Sequence, residues 1–256
     1  MSRPPLLLAG RTAVVTGAAS GIGRALAVAS AKQGMAVAIC DVSGGPLEKT
    51  AALVREAGAA VLARQVDVTD AAAVDAFADE VHAKLPPVAL LFANAGILRQ
   101  GRLIDMAPAE WRLLFEVNVI GVATLLRSFV PAMAGAGEAS QVVITGSTGS
   151  MVAPPSLGVY CATKHAIWAV ADALREELAA EGAPVGVSLL MPGAVATQIF
   201  ATVDPDRETP ADSITPDRVA EILFGKLANN PPFILTHPDY IPRAEARFAA
   251  TVEGLR

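Results

Sequence analysis

Between a β-rich run at Thr12–Thr16 and a helically spaced run at Gly21–Gln33 the chain carries Gly17, Gly21 and Gly23. A strand that enters a helix through so glycine-rich a turn can reverse tightly, because glycine adopts backbone angles other residues avoid. The same turn lets the main chain approach an anion at the positive end of the helix.

The strand-then-helix order repeats along the chain. Apolar, strand-like runs are predicted at Ala36–Cys40, Val61–Val68, Val88–Phe92, Gln141–Thr145, Val185–Met191 and Pro232–Thr236. Between them helical spacing predicts helices over Leu47–Ala57, Asp70–Lys84 with Asp70 as cap, Glu110–Met133 behind Pro108, Tyr160–Glu181, Pro216–Ala228 and Tyr240–Glu253. Continuous apolar strands are buried on both faces, and intervening helices make neighbouring strands parallel. The predicted fold is α/β, a single doubly wound Rossmann-type domain over residues 1–256 with a mostly parallel central sheet and helices on both faces. Residues 1–10 are expected to be a flexible N-terminus and residues 194–217 a substrate loop.

Composition narrows the function classes. Apolar residues make up 53% of the chain and charged ones 18%, enough to build a core and too apolar for a disordered segment. The net charge of −5 comes without a basic run, which argues against nucleic acid as a partner. Cys40 and Cys161 are too few for a disulfide framework and read as reduced, structural thiols. His82, His165 and His237 lack metal-ligand spacing, so no metal site is expected and each reads as a surface or helix-end imidazole. The apolar run at Leu6–Leu8 is too short for a signal peptide, and the expected location is the cytoplasm. Two uncharged stretches, Ala139–Thr163 and Gly182–Val203, are broken by Pro, Gly, Ser and Thr. They suit the wall of a buried cleft better than a membrane span.

The chemistry-bearing residues fall on the ends of these elements. The turn reads Thr16-Gly17-Ala18-Ala19-Ser20-Gly21-Ile22-Gly23, suited to a pyrophosphate, and the next strand ends in Asp41, placed to accept from adenosine ribose hydroxyls. Asp41 would repel a 2′-phosphate and no cation replaces it, so NAD is expected over NADP; Arg24 lies in the following helix. Tyr160 and Lys164 share one face of a helix, Ser147 ends a strand, and Asn118 lies inside a helix. A tyrosine is mostly protonated at neutral pH, and a neighbouring ammonium favours its phenolate. Tyr160 could then exchange a proton with an alcohol oxygen while Ser147 hydrogen-bonds that oxygen.

The Thr-Gly-x-x-x-Gly-x-Gly turn, Ser147, the Tyr160-Cys161-Ala162-Thr163-Lys164 run, Asn118, Asn94-Ala95-Gly96 and Pro192-Gly193 together resemble the short-chain dehydrogenase/reductase family, from Thr12 to about Thr236. The resemblance implies an NAD(P)-dependent alcohol dehydrogenase or ketoreductase. It implies a catalytic set of Asn118, Ser147, Tyr160 and Lys164. Asn118 would hold a water linking Lys164 to solvent, and Lys164 would also bind the nicotinamide ribose. Cofactor contacts would come from Gly17, Ser20, Gly21, Ile22, Gly23, Asp41, Asp67, Val68, Asn94, Ala95, Gly96, Tyr160, Lys164, Pro192, Gly193, Val195 and Thr197. Family members pair through their two long helices, which implies a homodimer or homotetramer; here Ala162, Ala166, Ala169 and Ala173 would permit close helix approach. The chain departs from the family pattern at Ala93, where an asparagine is usual, and at Gly146, where a serine is usual.

Two other classes stand against this reading. A non-catalytic dinucleotide-binding regulatory protein would lose the tyrosine or lysine, and both are present. A serine hydrolase would need a Gly-x-Ser-x-Gly elbow, which Gly146-Ser147-Thr148-Gly149 is not. The substrate wall is expected from Ile97, Met151, Val152, Pro154, Pro155, Val195, Ile199 and Phe200, which predicts a neutral, apolar secondary alcohol or its ketone. Arg99 and Arg102 are the cations that could turn in to meet an anion.

Overall fold

The computed structural model describes residues 4–197, 199 and 212–254. Its strands are β1 (Thr12–Thr16), β2 (Ala36–Asp41), β3 (Val61–Gln65), β4 (Val88–Ala93), β5 (Ser140–Thr145), β6 (Val185–Met191) and β7 (Phe233–Leu235). They form one sheet in the order β3-β2-β1-β4-β5-β6-β7. Every neighbouring pair is parallel. The helices are α1 (Gly21–Lys32), α2 (Gly44–Glu56), α3 (Ala71–Lys84), α4 (Pro108–Phe115), α5 (Gly121–Gly135), α6 (Gly158–Ala180), α7 (Pro216–Leu227) and α8 (Ile241–Glu253).

The strand residues explain the two-layered core. Val14 and Leu91 feed a cluster with side chains of α3, α5 and α6, whereas Val15 and Leu90 feed one with α1, α2 and α7. Successive side chains of a strand point to opposite faces, so a sheet covered on both sides needs apolar residues at every position. The burial of all of β1, β4, β5 and β6 meets that need.

Two predicted elements differ. The third strand ends at Gln65 rather than Val68, because the Asp67 carboxylate accepts from the Thr69 backbone N–H at 2.9 Å and its hydroxyl at 2.8 Å. Such a local side-chain turn competes with the sheet ladder. The helix expected over Glu110–Met133 is interrupted at Glu116–Ile120 by a π-helical turn that carries Asn118. By length and composition Pro108–Gly135 could cross a membrane; here Leu125 and Phe129 pack in the core against the sheet. Asp70 caps α3 as expected, accepting from the Ala73 N–H at 3.0 Å.

Candidate active site

The sheet order reverses between β1 and β4, and the loops that leave the carboxyl ends of the strands there diverge around a crevice. A cleft of about 500 Å³ opens at this point. One end is lined by Gly17, Ser20, Gly21, Ile22, Gly23 and Asp41, the middle by Asn94, Ala95 and Gly96, and the other end by Ser147, Tyr160, Lys164, Pro192, Gly193, Val195 and Thr197. Side chains scattered over most of the chain thus share one wall.

The glycine turn is held by its neighbour across the switch point. Backbone N–H groups of Asn94 and Ala95 both donate to Thr16 Oγ1 at 3.0 Å, and Asn94 Nδ2 donates to the Thr16 carbonyl at 3.0 Å. Ala93 in place of the usual asparagine leaves this turn tied. Gly17 has φ +65°, and a Cβ there would lie 2.8 Å from Ala95 Cα, so no side chain fits. The close approach is the cradle a pyrophosphate requires, at the N-terminus of α1. Asp41 holds its carboxylate at the rim: Oδ2 accepts from the Ala19 N–H at 3.0 Å and Oδ1 from the Ser43 N–H at 2.9 Å. Arg24 does not line the cleft; its Nε donates to Thr50 Oγ1 at 3.0 Å and its Nη2 to the Ala19 carbonyl. These residues fit a dinucleotide.

At the other end the Ser147 hydroxyl accepts from the Gly149 N–H at 3.0 Å and hydrogen-bonds Tyr160. Lys164 Nζ lies 5.7 Å from the centre of the Tyr160 ring and donates to the Thr145 carbonyl at 2.8 Å. Burial, the dominant effect, pushes the Tyr160 phenol up to about 12, against the downward pull of the Ser147 hydrogen bond. Without a dinucleotide, burial dominates the phenol. Burial also lowers Lys164, to about 8, which leaves it mostly charged at neutral pH. Gly146 answers to packing, since a Cβ there would sit 3.0 Å from both Leu189 Cδ1 and Ser150 Oγ.

Several expected residues lie elsewhere. Asn118 is fully buried behind the cleft, and its amide is taken up by the protein. Its Nδ2 donates to the Ile97 carbonyl at 2.9 Å and to Thr163 Oγ1 at 3.1 Å, while Oδ1 accepts from the Ile97 N–H at 2.8 Å. Both amide hydrogens are used within the protein, so the side chain ties Ile97 to α6. Asp67 turns to Thr69, and Val68 packs where a Cβ on Gly121 would fall; neither lines the cleft.

Of the expected substrate wall, Ile97, Val152, Pro154, Val195 and Ile199 line the cleft. Met151 is buried in the core, Pro155 is not part of the lining, and Phe200 lies outside the described residues. Leu98, Leu157 and Tyr240 also line the cleft. Arg99 donates to the Leu98 carbonyl at 3.0 Å and Arg102 pairs with Asp105 at 3.4 Å, both away from the cleft. The cysteines are buried and free. His237, read as a surface imidazole, is 5% exposed and accepts at Nδ1 from the Gly193 N–H at 3.0 Å. Its burial follows from the packing of the chain after β7 against the Pro192-Gly193 turn, which no local pattern announces.

Comparison with known proteins agrees with this geometry. A family model described as short chain dehydrogenase matches residues 11–208. The chain belongs to the short-chain dehydrogenase/reductase family. It is thus an oxidoreductase on a Rossmann-like fold with a nicotinamide dinucleotide cofactor. It is 35% identical over 240 residues to a 1-deoxy-11-beta-hydroxypentalenate dehydrogenase of Streptomyces avermitilis, covering 93% of this chain and 88% of that enzyme. A short-chain dehydrogenase/reductase of Burkholderia phymatum in complex with NAD superposes with a TM-score of 0.91 at 34% identity, over 98% of this chain and 96% of that one. The alcohol dehydrogenase of the archaeon Thermococcus sibiricus, complexed with 5-hydroxy-NADP, is similar with a TM-score of 0.80 at 30% identity, over 90% of this chain and 97% of that one.

Proposed function

We propose that this member of the family is an NAD-dependent enzyme interconverting a neutral, apolar secondary alcohol and its ketone, with Tyr160 as general acid/base. The observation that carries the reading is the convergence of Ser147, Tyr160 and Lys164 on one wall of a cleft that ends at the glycine turn and Asp41. The dinucleotide, when bound, supplies the hydride acceptor or donor and, oxidised, a positive charge near the phenol. The Gly149 N–H occupies only a lone pair of Ser147, so the hydroxyl hydrogen, shared with Tyr160 in the protein alone, can turn to the substrate oxygen and orient it. Tyr160 takes the alcohol proton or returns it to the ketone. Lys164 favours the phenolate by charge, and its remaining hydrogens are available to the nicotinamide ribose.

Selectivity for NAD rests on Asp41, whose carboxylate faces the cleft while Arg24 is bonded elsewhere. Asp41→Asn is expected to bring the ratio of kcat/KM for NAD over NADP down by about tenfold, the equivalent of about 1.4 kcal/mol. A parent enzyme more efficient with NADP than with NAD would overturn the assignment.

The substrate class follows from the lining. Among the described residues its charges are Asp41, Lys164 and Asp212, so a carboxylate would meet no cation except the one beside Tyr160. Leaving a charge unpaired in such a wall is costly. The Streptomyces relative, by its name, acts on a carboxylate, which makes the comparison decisive. With an alicyclic keto ester and its free acid, the ester is expected to show the higher kcat/KM, by about tenfold or more. A preference for the acid would replace the neutral class with a carboxylated one.

Assembly is proposed through α6 and its neighbour. Ala169 and Ala173 are exposed on α6, and Leu113 and Ile120 are 43% and 49% exposed on the helical run that packs beside it. Small residues let a second copy approach closely, and apolar ones reward it. Sedimentation at micromolar concentration is expected to give the mass of a dimer or tetramer; a monomer would refute pairing.

A further inference from the structure

The geometry points to His237 as a positioning residue that locks the Pro192–Gly193 peptide plane and, through it, the backbone beside Ser147. The inference rests on the reading of Ser147 as the hydroxyl that orients substrate. Gly193 donates its N–H to His237 Nδ1 at 3.0 Å, and the carbonyl of the same peptide unit, Pro192 O, accepts from the Thr148 N–H at 2.8 Å. Thr148 directly follows Ser147. A peptide unit is planar and rigid, so a partner that fixes its N–H also fixes the direction of its carbonyl. His237 and Thr148 therefore grip one plane from opposite ends.

The plane needs such a grip. Gly193 offers little resistance to rotation of the preceding peptide, because glycine tolerates a wide range of backbone angles. It must nonetheless be glycine: a Cβ would lie 2.7 Å from His237 Cγ and 2.9 Å from Nδ1. The ring that excludes a side chain at this position thus supplies the acceptor that replaces the lost stiffness.

The tautomer follows from the same contacts. A backbone N–H can only donate, so Nδ1 is unprotonated, and the Thr236 hydroxyl also reaches it at 2.7 Å. The imidazole hydrogen then sits on Nε2, which is buried and has no hydrogen-bond partner among the described residues. Burying an unpaired donor is costly. The acceptor face is the part of this ring that the fold uses.

Three variants test the grip. His237→Phe keeps a flat ring and loses the acceptor, while His237→Asn restores an acceptor on the atom next to Cγ. With a neutral alicyclic alcohol and NAD, kcat of the Phe variant is expected to fall by about tenfold, with NADH affinity by fluorescence within about threefold of the parent. The Asn variant is expected to recover kcat to within about threefold of the parent. A role confined to stability would lower the melting temperature of both and leave kcat of the folded enzyme alone. Equal kcat in the Phe and Asn variants, with equal amide exchange at Gly193 and Thr148, therefore overturns the proposal.

Amide exchange and imidazole nitrogen NMR separate this from the assignment of Ser147, since neither needs turnover. Exchange at Gly193 and Thr148 is expected to quicken by about tenfold in the Phe variant and to be restored in the Asn variant. The parent spectrum is expected to show His237 protonated at Nε2 alone. Unchanged exchange, or a proton on Nδ1, overturns the grip. Quickened exchange with no loss of kcat in the Phe variant leaves the grip standing and overturns only the role assigned to Ser147. If the Phe variant does not fold, His237→Gln, whose carbonyl lies one atom farther out, takes its place.

Discussion

Tyr160→Phe is expected to bind NADH as the parent does and to turn over about a thousandfold more slowly, within the range set by loss of a positioned general acid/base. The substitution removes one oxygen. The ring keeps its contacts with Leu98 and Cys161, and the Thr163 hydroxyl still donates to the carbonyl of residue 160 at 2.7 Å. What is lost is the group that exchanges a proton with substrate and hydrogen-bonds Ser147. Steady-state kinetics with a neutral secondary alcohol, beside a fluorescence titration with NADH, separates the two effects. Turnover at the parent rate would remove Tyr160 from the mechanism. So would a loss of activity matched by an equal loss of cofactor affinity.

Lys164→Met is expected to lower kcat by about a hundredfold and to weaken NADH binding by about tenfold, because the ammonium has two tasks. Methionine keeps much of the apolar stem, so the change reports charge and hydrogen bonding more than packing. The charge beside Tyr160 disappears, and the Thr145 carbonyl loses its donor at 2.8 Å. Thr145 itself donates to Asn94 Oδ1 at 3.2 Å, so the loss also reaches the turn that holds the glycine loop. This connection predicts the weaker cofactor binding. A variant with full NADH affinity and reduced kcat would confine Lys164 to the proton-transfer side. Unchanged kcat would exclude it from the chemistry.

The contrast between Asn118 and His237 shows how far sequence reaches. Asn118 was legible as special because an asparagine in a helix interior needs a reason, and its place in the motif order supplied one. Its partners were not legible. Ile97 and Thr163 lie on other elements, and only the packing of α6 against the π-helical turn brings all three together. His237 had no such signal. Its acceptor role depends on a glycine from another strand end, and a buried histidine after a short strand looks locally like an exposed one. The raised phenol at Tyr160 has the same origin. Sequence shows the lysine one helical turn away, but the burial that raises the phenol is a sum over the surrounding fold.

The strand positions, the glycine turn, Asp41 at the end of β2 and the Ser147, Tyr160 and Lys164 set were legible in the amino-acid order. Each is written in local terms: apolar periodicity, backbone freedom at glycine, and residue types repeated in a fixed order. Tertiary structure alone decided which side chains face the cleft. Arg99 and Arg102 turn away, Met151 sinks into the core, and Leu98, Leu157 and Tyr240 come forward. Those outcomes depend on contacts between segments distant in the chain, where packing and hydrogen-bond satisfaction choose among orientations that the local sequence leaves equal.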